Sequence, residues 1–279
     1  MWCLVKFPFG IGRFGHARKK PVRKVVYTCL FGYSERFNDF HYAAGDIDFV
    51  CFTDDPDLTS SFWQMRLVPR GLLDPVRRAK QVKALPHRFL PDHDVSLYID
   101  NTVRLKLPPH EIFERCLTSG QSPLVCFRHP WRDCVYDEAE AVIAAAYDDP
   151  DRVHRQMAFY RAQNYPAHHG LAKSTMLLRR HGDPHLQRVM QGWHEQVLQH
   201  SHRDQLALNP VMWAEQFEPD YLTGDFLQTD MLDWPVVPDG LRIPRDFDDA
   251  RYRALNPDVT GDGRRHYLLH GAAAGRRYK

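Results

Sequence analysis

Val25-Val26-Tyr27-Thr28-Cys29-Leu30-Phe31, stopped by Gly32, is the stretch from which the fold can be read. It is β-branched and aromatic with no polar alternation. A strand with one wet face alternates apolar and polar residues, so a run that is apolar throughout needs cover on both faces, as in a parallel sheet flanked by helices. A second run of the same kind, Asp48-Phe49-Val50-Cys51-Phe52-Thr53, stops at Asp54-Asp55-Pro56. Further strand candidates lie at 95–105, 124–127 and 175–178. Between them, Val76, Ala79, Val82 and Leu85 interleave with Arg77, Lys80 and Lys83, which predicts an amphipathic helix over 75–90 that Pro86 ends or kinks. Helical composition returns at 137–147, 151–163 and 184–200. Buried strands alternating with helices specify an α/β fold with a doubly wound, mainly parallel sheet. In such sheets ligands bind beyond the carboxyl ends of the strands, so the residues after each strand are where chemistry is sought.

At 279 residues, 43% hydrophobic and 26% charged, the chain can bury one main domain plus an appendage, and disorder is excluded. A net charge of +2 makes no demand for a polyanion, so nucleic acid is not an expected partner. Of six cysteines, Cys29, Cys51 and Cys126 sit inside apolar runs and no pair has C-x-x-C spacing, so the thiols read as structural and the compartment as reducing. The opening residues are broken by charge, Pro and Gly, and no segment has the apolar length of a signal peptide or membrane helix. A cytoplasmic location is therefore expected. The basic run 18–24 makes residues 1–23 a solvated arm that can also touch an anionic surface, such as the inner membrane. The main domain is expected over 24–240 and a small C-terminal module over 246–279.

Several residues could carry chemistry. Asp100, with Asn101 and Thr102, ends a strand, where a carboxylate can hold a divalent metal such as Mn or Mg, or simply cap a turn. Arg77, Lys80 and Lys83 recur every three residues and can present cations to a diphosphate or form a solvated helix face. After the strand at 124–127, His129 can bind metal or phosphate, Arg132 can clamp an anion and Glu138 can act as a base. Asp137 and Glu138 can equally satisfy a helix start. Asp204, between Arg203 and Gln205, can deprotonate a hydroxyl, orient a sugar or cap a helix. No Gly-x-Ser-x-Gly, phosphate-binding Gly-rich Lys-Ser/Thr loop or His-Glu-x-x-His occurs, which removes the usual hydrolase, triphosphatase and metalloprotease routes.

Taken in order, Val-Val-Tyr-Thr-Cys-Leu-Phe-Gly, Asp-Phe-Val-Cys-Phe-Thr-Asp-Asp, Arg-Arg-Ala-Lys-Gln-Val-Lys, Tyr-Ile-Asp-Asn-Thr-Val, Arg-His-Pro-Trp-Arg-Asp-Cys and His-Arg-Asp-Gln resemble one family. It is the glycosyltransferase-like family of plant mucilage-related and turgor-regulation-defect proteins. The resemblance covers about 25–217 and implies a GT-A-like fold, in which a strand-end Asp-x-Asp motif chelates a metal on the donor diphosphate. Asp100 matches its first position, while Thr102 replaces the second aspartate. By the same likeness, Thr28 and Asp54 lie near the nucleoside and Lys80 and Lys83 near the phosphates. Thr102, His129, Arg132 and Gln205 join the donor site, and Asp204 lies near the transferred sugar, with Asp204 and Glu138 as catalytic candidates. The implied partners are a nucleotide-diphosphate sugar donor and a glycan or glycolipid acceptor. The family also supplies an alternative, a ceramidase-like hydrolase of lipid amides, and the degenerate motif a third, a non-catalytic carbohydrate-binding module.

The tail carries Asn256-Pro257-Asp258-Val259 and Gly271-x-x-x-Gly275-Arg276. It resembles a small helical module found beside bacterial surface-polysaccharide glycosyltransferases. A bacterial enzyme adding a sugar to a growing surface glycan is the expectation, and a packing hairpin that closes the domain is the tail's plainer reading.

Overall fold

Residues 21–32, 35–236, 243–244 and 246–279 are described by a computed structural model of the chain, so residues 1–20 of the expected arm over 1–23, and with them the expected membrane contact, lie outside the described residues. β1 (Lys24–Leu30) pairs in parallel with β2 (Asp48–Thr53) on one side and β4 (Val95–Ile99) on the other. β3 (Gln64–Leu67) extends the sheet beyond β2, also in parallel. Past β4 comes β7 (Ala172–Arg180), antiparallel to both β4 and β6 (Leu124–Arg128), and β8 (Asp220–Tyr221) lies parallel to β6 at the edge. The order β3-β2-β1-β4-β7-β6-β8 is the mixed, mainly parallel sheet that the apolar runs specify.

Both faces of β1 are covered. Val25, Tyr27 and Cys29 enter one core with Val82 and Leu85 beside α1 (Pro75–Ala84) and Trp193 of α6 (Pro184–Gln199). Val26 joins Phe49 and Leu97 in a second core closed by Ile112 and Phe113 of α3 (Pro109–Thr118). α2 (Pro86–Phe89) follows α1 after the break at Leu85, as Pro86 requires. α4 (Val135–Ala144), α5 (Pro150–Ala162) and α6 lie where helical composition places them. Asp-Pro starts recur: Asp74, Asp149 and Asp183 each accept a backbone N–H of the first turn of α1, α5 and α6, with Pro as the first helical residue.

Three elements depart from expectation. The strand over 95–105 stops at Ile99, because the Asp100 carbonyl accepts from Val103 N at 2.9 Å to close a turn. Its remainder, β5 (Arg104–Leu105), pairs with β9 (Leu232–Asp233) in a separate two-stranded sheet. The Asn101 amide drives the bend: it accepts from Asn38 N at 2.9 Å and donates to the Arg36 carbonyl at 2.8 Å, so its bonds leave the ladder. α3 was hidden by Pro108-Pro109 and a short amphipathic stretch. β7 begins earlier than its apolar centre because Lys173, Ser174 and Thr175 are buried polar residues.

α7 (Leu208–Ala214) packs Leu208, Val211 and Met212 into the first core and leads on to β8. At the C-terminus, α8 (Asp249–Leu255) and α9 (Gly263–His266), which runs into a π turn at Tyr267–Gly271, enclose Phe247, Tyr252, Val259 and Tyr267. The tail's motif residues have plain packing jobs. Asn256 Nδ2 donates to the Tyr252 carbonyl at 2.8 Å and the Arg277 carbonyl at 2.9 Å, and Arg276 bonds Asp258 at 2.8 Å. A Cβ on Gly271 would lie 2.2 Å from the Tyr252 hydroxyl, so only glycine fits there.

Candidate functional site

Lys80 and Lys83 project from one face of α1 towards Asp204, which opens a 3₁₀ turn (Asp204–Leu206) after α6. Lys80 Nζ lies 3.0 Å from Asp204 Oδ1 and Lys83 Nζ 2.7 Å from Oδ2. Lys83 also reaches Asp100 Oδ1 at 3.4 Å and Ser174 Oγ at 3.3 Å, so it bridges the end of β4 to the turn. Its side chain is 2% exposed, which corrects the reading of this row as a solvated face. Arg77 leaves the row, pairing with Asp74 and donating to the Val197 and His200 carbonyls. Burial alone would lift the Asp204 carboxyl, but Lys80 and Lys83 overcome it and hold the group well below the usual carboxylate range. Burial would lower Lys83, yet Asp100 and Asp204 raise it, so the cation persists at every ordinary pH.

Asp100 stands at the rim, with its side chain 33% exposed. Tyr98, pushed well up by burial and by Asp100, keeps its proton and donates it to Asp100 Oδ1 at 2.8 Å. Lys173 on β7 was missed from the sequence because it precedes the apolar centre of its strand. It is buried with its ammonium 4.0 Å from the Trp234 ring, and burial brings it down to about 8 while Asp100, Glu138 and Asp204 pull it back up. Its field thereby joins the α1 cluster to a second group after β6.

In that second group Glu138 is buried on α4 and takes Arg132 Nε at 2.5 Å. His129 Nδ1 accepts from Trp131 N at 3.4 Å and Arg132 N at 3.2 Å, so the ring folds the loop, and Nε2 lies 3.8 Å from Glu138. Burial, then Lys173 and Arg132, bring His129 down to about 4, so it is neutral near pH 7 and is no cationic phosphate clamp. Gln205 donates to the Ala172 carbonyl, fixing the start of β7. Thr102 is buried and its carbonyl accepts from Val236 N at 2.8 Å. Thr28 is buried on β1 and its hydroxyl has no partner among the described residues. Asp54, after β2, accepts from Gly32 N at 3.0 Å and meets Arg70 at 3.3 Å, at the junction of two cavities.

The donor set around Asp100 does not fit a divalent ion held by the protein alone. Lys83 occupies the space between its carboxylate and Asp204, and the place of a second aspartate is taken by buried Thr102. Among the described residues the ligand types that converge are Cys134, Asp137 and His168, whose ligand atoms lie within 4.8 Å of one another. His168 there is also bound to Asp133 at 2.8 Å.

A profile of the TOD1/MUCI70 glycosyltransferase-like domain matches residues 46–224, more than half of the chain. The chain belongs to the TOD1/MUCI70 family. Over 143 residues it is 30% identical to the probable hexosyltransferase MUCI70 of Arabidopsis thaliana, a match covering 48% of this chain and 24% of that protein. The chain thus spans about a quarter of that relative's length. The TOD1/MUCI70 region holds Asp54, both lysines, Asp100, Glu138, Lys173 and Asp204, while β1 and the C-terminal helices lie outside it. No helix among the described residues is long and apolar enough to cross a membrane.

Proposed function

We propose that this TOD1/MUCI70 chain transfers a hexosyl or related sugar from a nucleotide-diphosphate donor to a glycan or glycolipid acceptor. The observation that carries this reading is the lysine pair of α1, preorganised by Asp204 and Asp100 beyond the carboxyl end of β4. In sugar transfer the anomeric carbon–oxygen bond breaks and its electron pair leaves with the diphosphate, while the acceptor oxygen bonds to that carbon and passes its proton to a phosphate oxygen of the leaving diphosphate. Fixed cations aimed where the leaving charge develops lower that barrier. Lys80 and Lys83, with Lys173 behind them, supply those cations. A carboxylate held by two ammonium groups is a weak base, so Asp204 orients the lysines, and Glu138 does the same for Arg132. Asp100, a third exposed at the rim, is the group for a sugar hydroxyl. No step is assigned to a metal.

The finer setting, a cytoplasmic bacterial enzyme building a surface polysaccharide, is supported by the likeness of the tail alone. Thermal unfolding with UDP, GDP, ADP and CDP, each with manganese and with EDTA, tests the reading, because a ligand that binds the folded state raises the melting temperature. One nucleoside diphosphate should raise it, equally in EDTA. If none does, the chain is not a nucleotide-sugar transferase.

A further inference from the structure

Two cavities open side by side at the carboxyl ends of β1 to β3 and share Asp54. The smaller, about 180 Å³, has apolar Leu30, Phe37 and Leu58 on one wall and Leu268 and Leu269 of the C-terminal helices on the other. Asp54 and Asp55 line it with carboxylate oxygens. The larger, about 620 Å³, runs from Asp54 between Arg70 and Arg264 to Val76, one helical turn before Lys80 on the same face of α1. The path therefore leads from an apolar slot with acidic edges towards the lysine pair.

The C-terminal helices are pinned where they close this path. Arg265 meets Asp57 at 2.8 Å and Asp55 at 3.4 Å, and Arg70 meets Asp54 at 3.3 Å and Asp262 at 4.0 Å. Leu268 is 5% exposed although it is no member of the module's own core of Phe247, Tyr252, Val259 and Tyr267. It lines the smaller cavity together with Leu30, Phe37 and Leu58 of the sheet domain. The family match ends at residue 224, so this wall is an addition to the matched domain.

We infer that the C-terminal helices form the outer wall of the nucleoside half of the donor site. The base lies between Leu30, Phe37 and Leu58 on one side and Leu268 and Leu269 on the other, while Asp54 and Asp55 accept from ribose hydroxyls or base N–H groups. The inference rests on the transferase reading. Such a wall makes donor choice depend on the module while leaving the diphosphate contacts to α1.

Calorimetric titration of the full chain with UDP, GDP, ADP, CDP and inorganic pyrophosphate tests it. The variants are Leu269→Asp, Arg265→Ala and Lys83→Ala; Leu269 is 44% exposed, so its substitution spares the core. The two module variants should bind the preferred nucleoside diphosphate about tenfold more weakly, with pyrophosphate affinity unchanged, whereas Lys83→Ala weakens both. Unchanged nucleotide affinity in both module variants, alongside loss in Lys83→Ala, overturns the wall and leaves the transferase standing. Failure of the unaltered chain to bind any of the nucleotides overturns both.

Discussion

Lys83 is a buried cation whose two carboxylate neighbours lie far apart in sequence, Asp100 after β4 and Asp204 after α6. Removing one partner of a buried charge pair costs about 3–5 kcal/mol, because the remaining charge stays desolvated. Lys83→Met should therefore lower stability by about 3 kcal/mol in urea unfolding, and abolish any nucleotide-induced rise in melting temperature. A variant as stable as the parent would show that Lys80 alone neutralises Asp204. Lys173 gives a pH dependence with a definite sign. Its pKa falls to about 8 in the fold, below the unfolded value, so between the two the unfolded chain binds more protons and stability rises with pH. Its charge is lost over the same rise, so pyrophosphate affinity should fall as pH passes through about 8. Lys173→Arg should flatten that profile, which calorimetry at pH 7 and 9 would show; a parent profile already flat would remove Lys173 from the anion site.

At the scale of elements, an Asp-Pro pair opens each of α1, α5 and α6. Asp183 accepts from Leu186 N at 2.8 Å and Pro184 begins α6, so Asp183→Ala should cost about 1 kcal/mol in urea unfolding and leave nucleotide binding intact. A loss several times larger would mean that the turn before α6 also carries tertiary load. The strands were legible where they were apolar on every position, as in β1 and β2, and illegible where function or packing inserted polar groups. β7 carries Lys173, Ser174, Thr175 and fully buried Arg179, whose guanidinium donates to the Lys83 carbonyl at 2.5 Å and to the Tyr27 hydroxyl. No local pattern distinguishes such a strand from a surface loop, since its polar side chains are satisfied by residues far away in sequence. The stretch over 95–105 failed for the converse reason. Its apolar residues continue past Asp100, but Asn101 is claimed by the 36–38 loop and Leu105 by β9.

For the whole molecule, acid should act through Asp204. Its folded pKa is depressed, so the stability it contributes is present above its unfolded pKa of about 4 and is lost as pH falls below that value towards the folded one. Melting temperature should fall between about pH 4 and pH 2 in the parent, and less steeply in Asp204→Asn. An equal slope in both would place the acid sensitivity elsewhere. The sequence alone determined what depends on neighbours along the chain: unbroken apolar runs demand a sheet covered on both faces, Pro86 breaks the helix over 75–90, and three-residue spacing puts Lys80 and Lys83 on one face. Only the tertiary structure decided which charges are buried and paired. Whether Lys83 is solvated or locked between two aspartates, whether His129 is cationic or neutral, and whether the tail merely closes the domain or lines a cavity all turn on residues distant in sequence. Desolvation and Coulomb energy depend on distances that the fold alone sets.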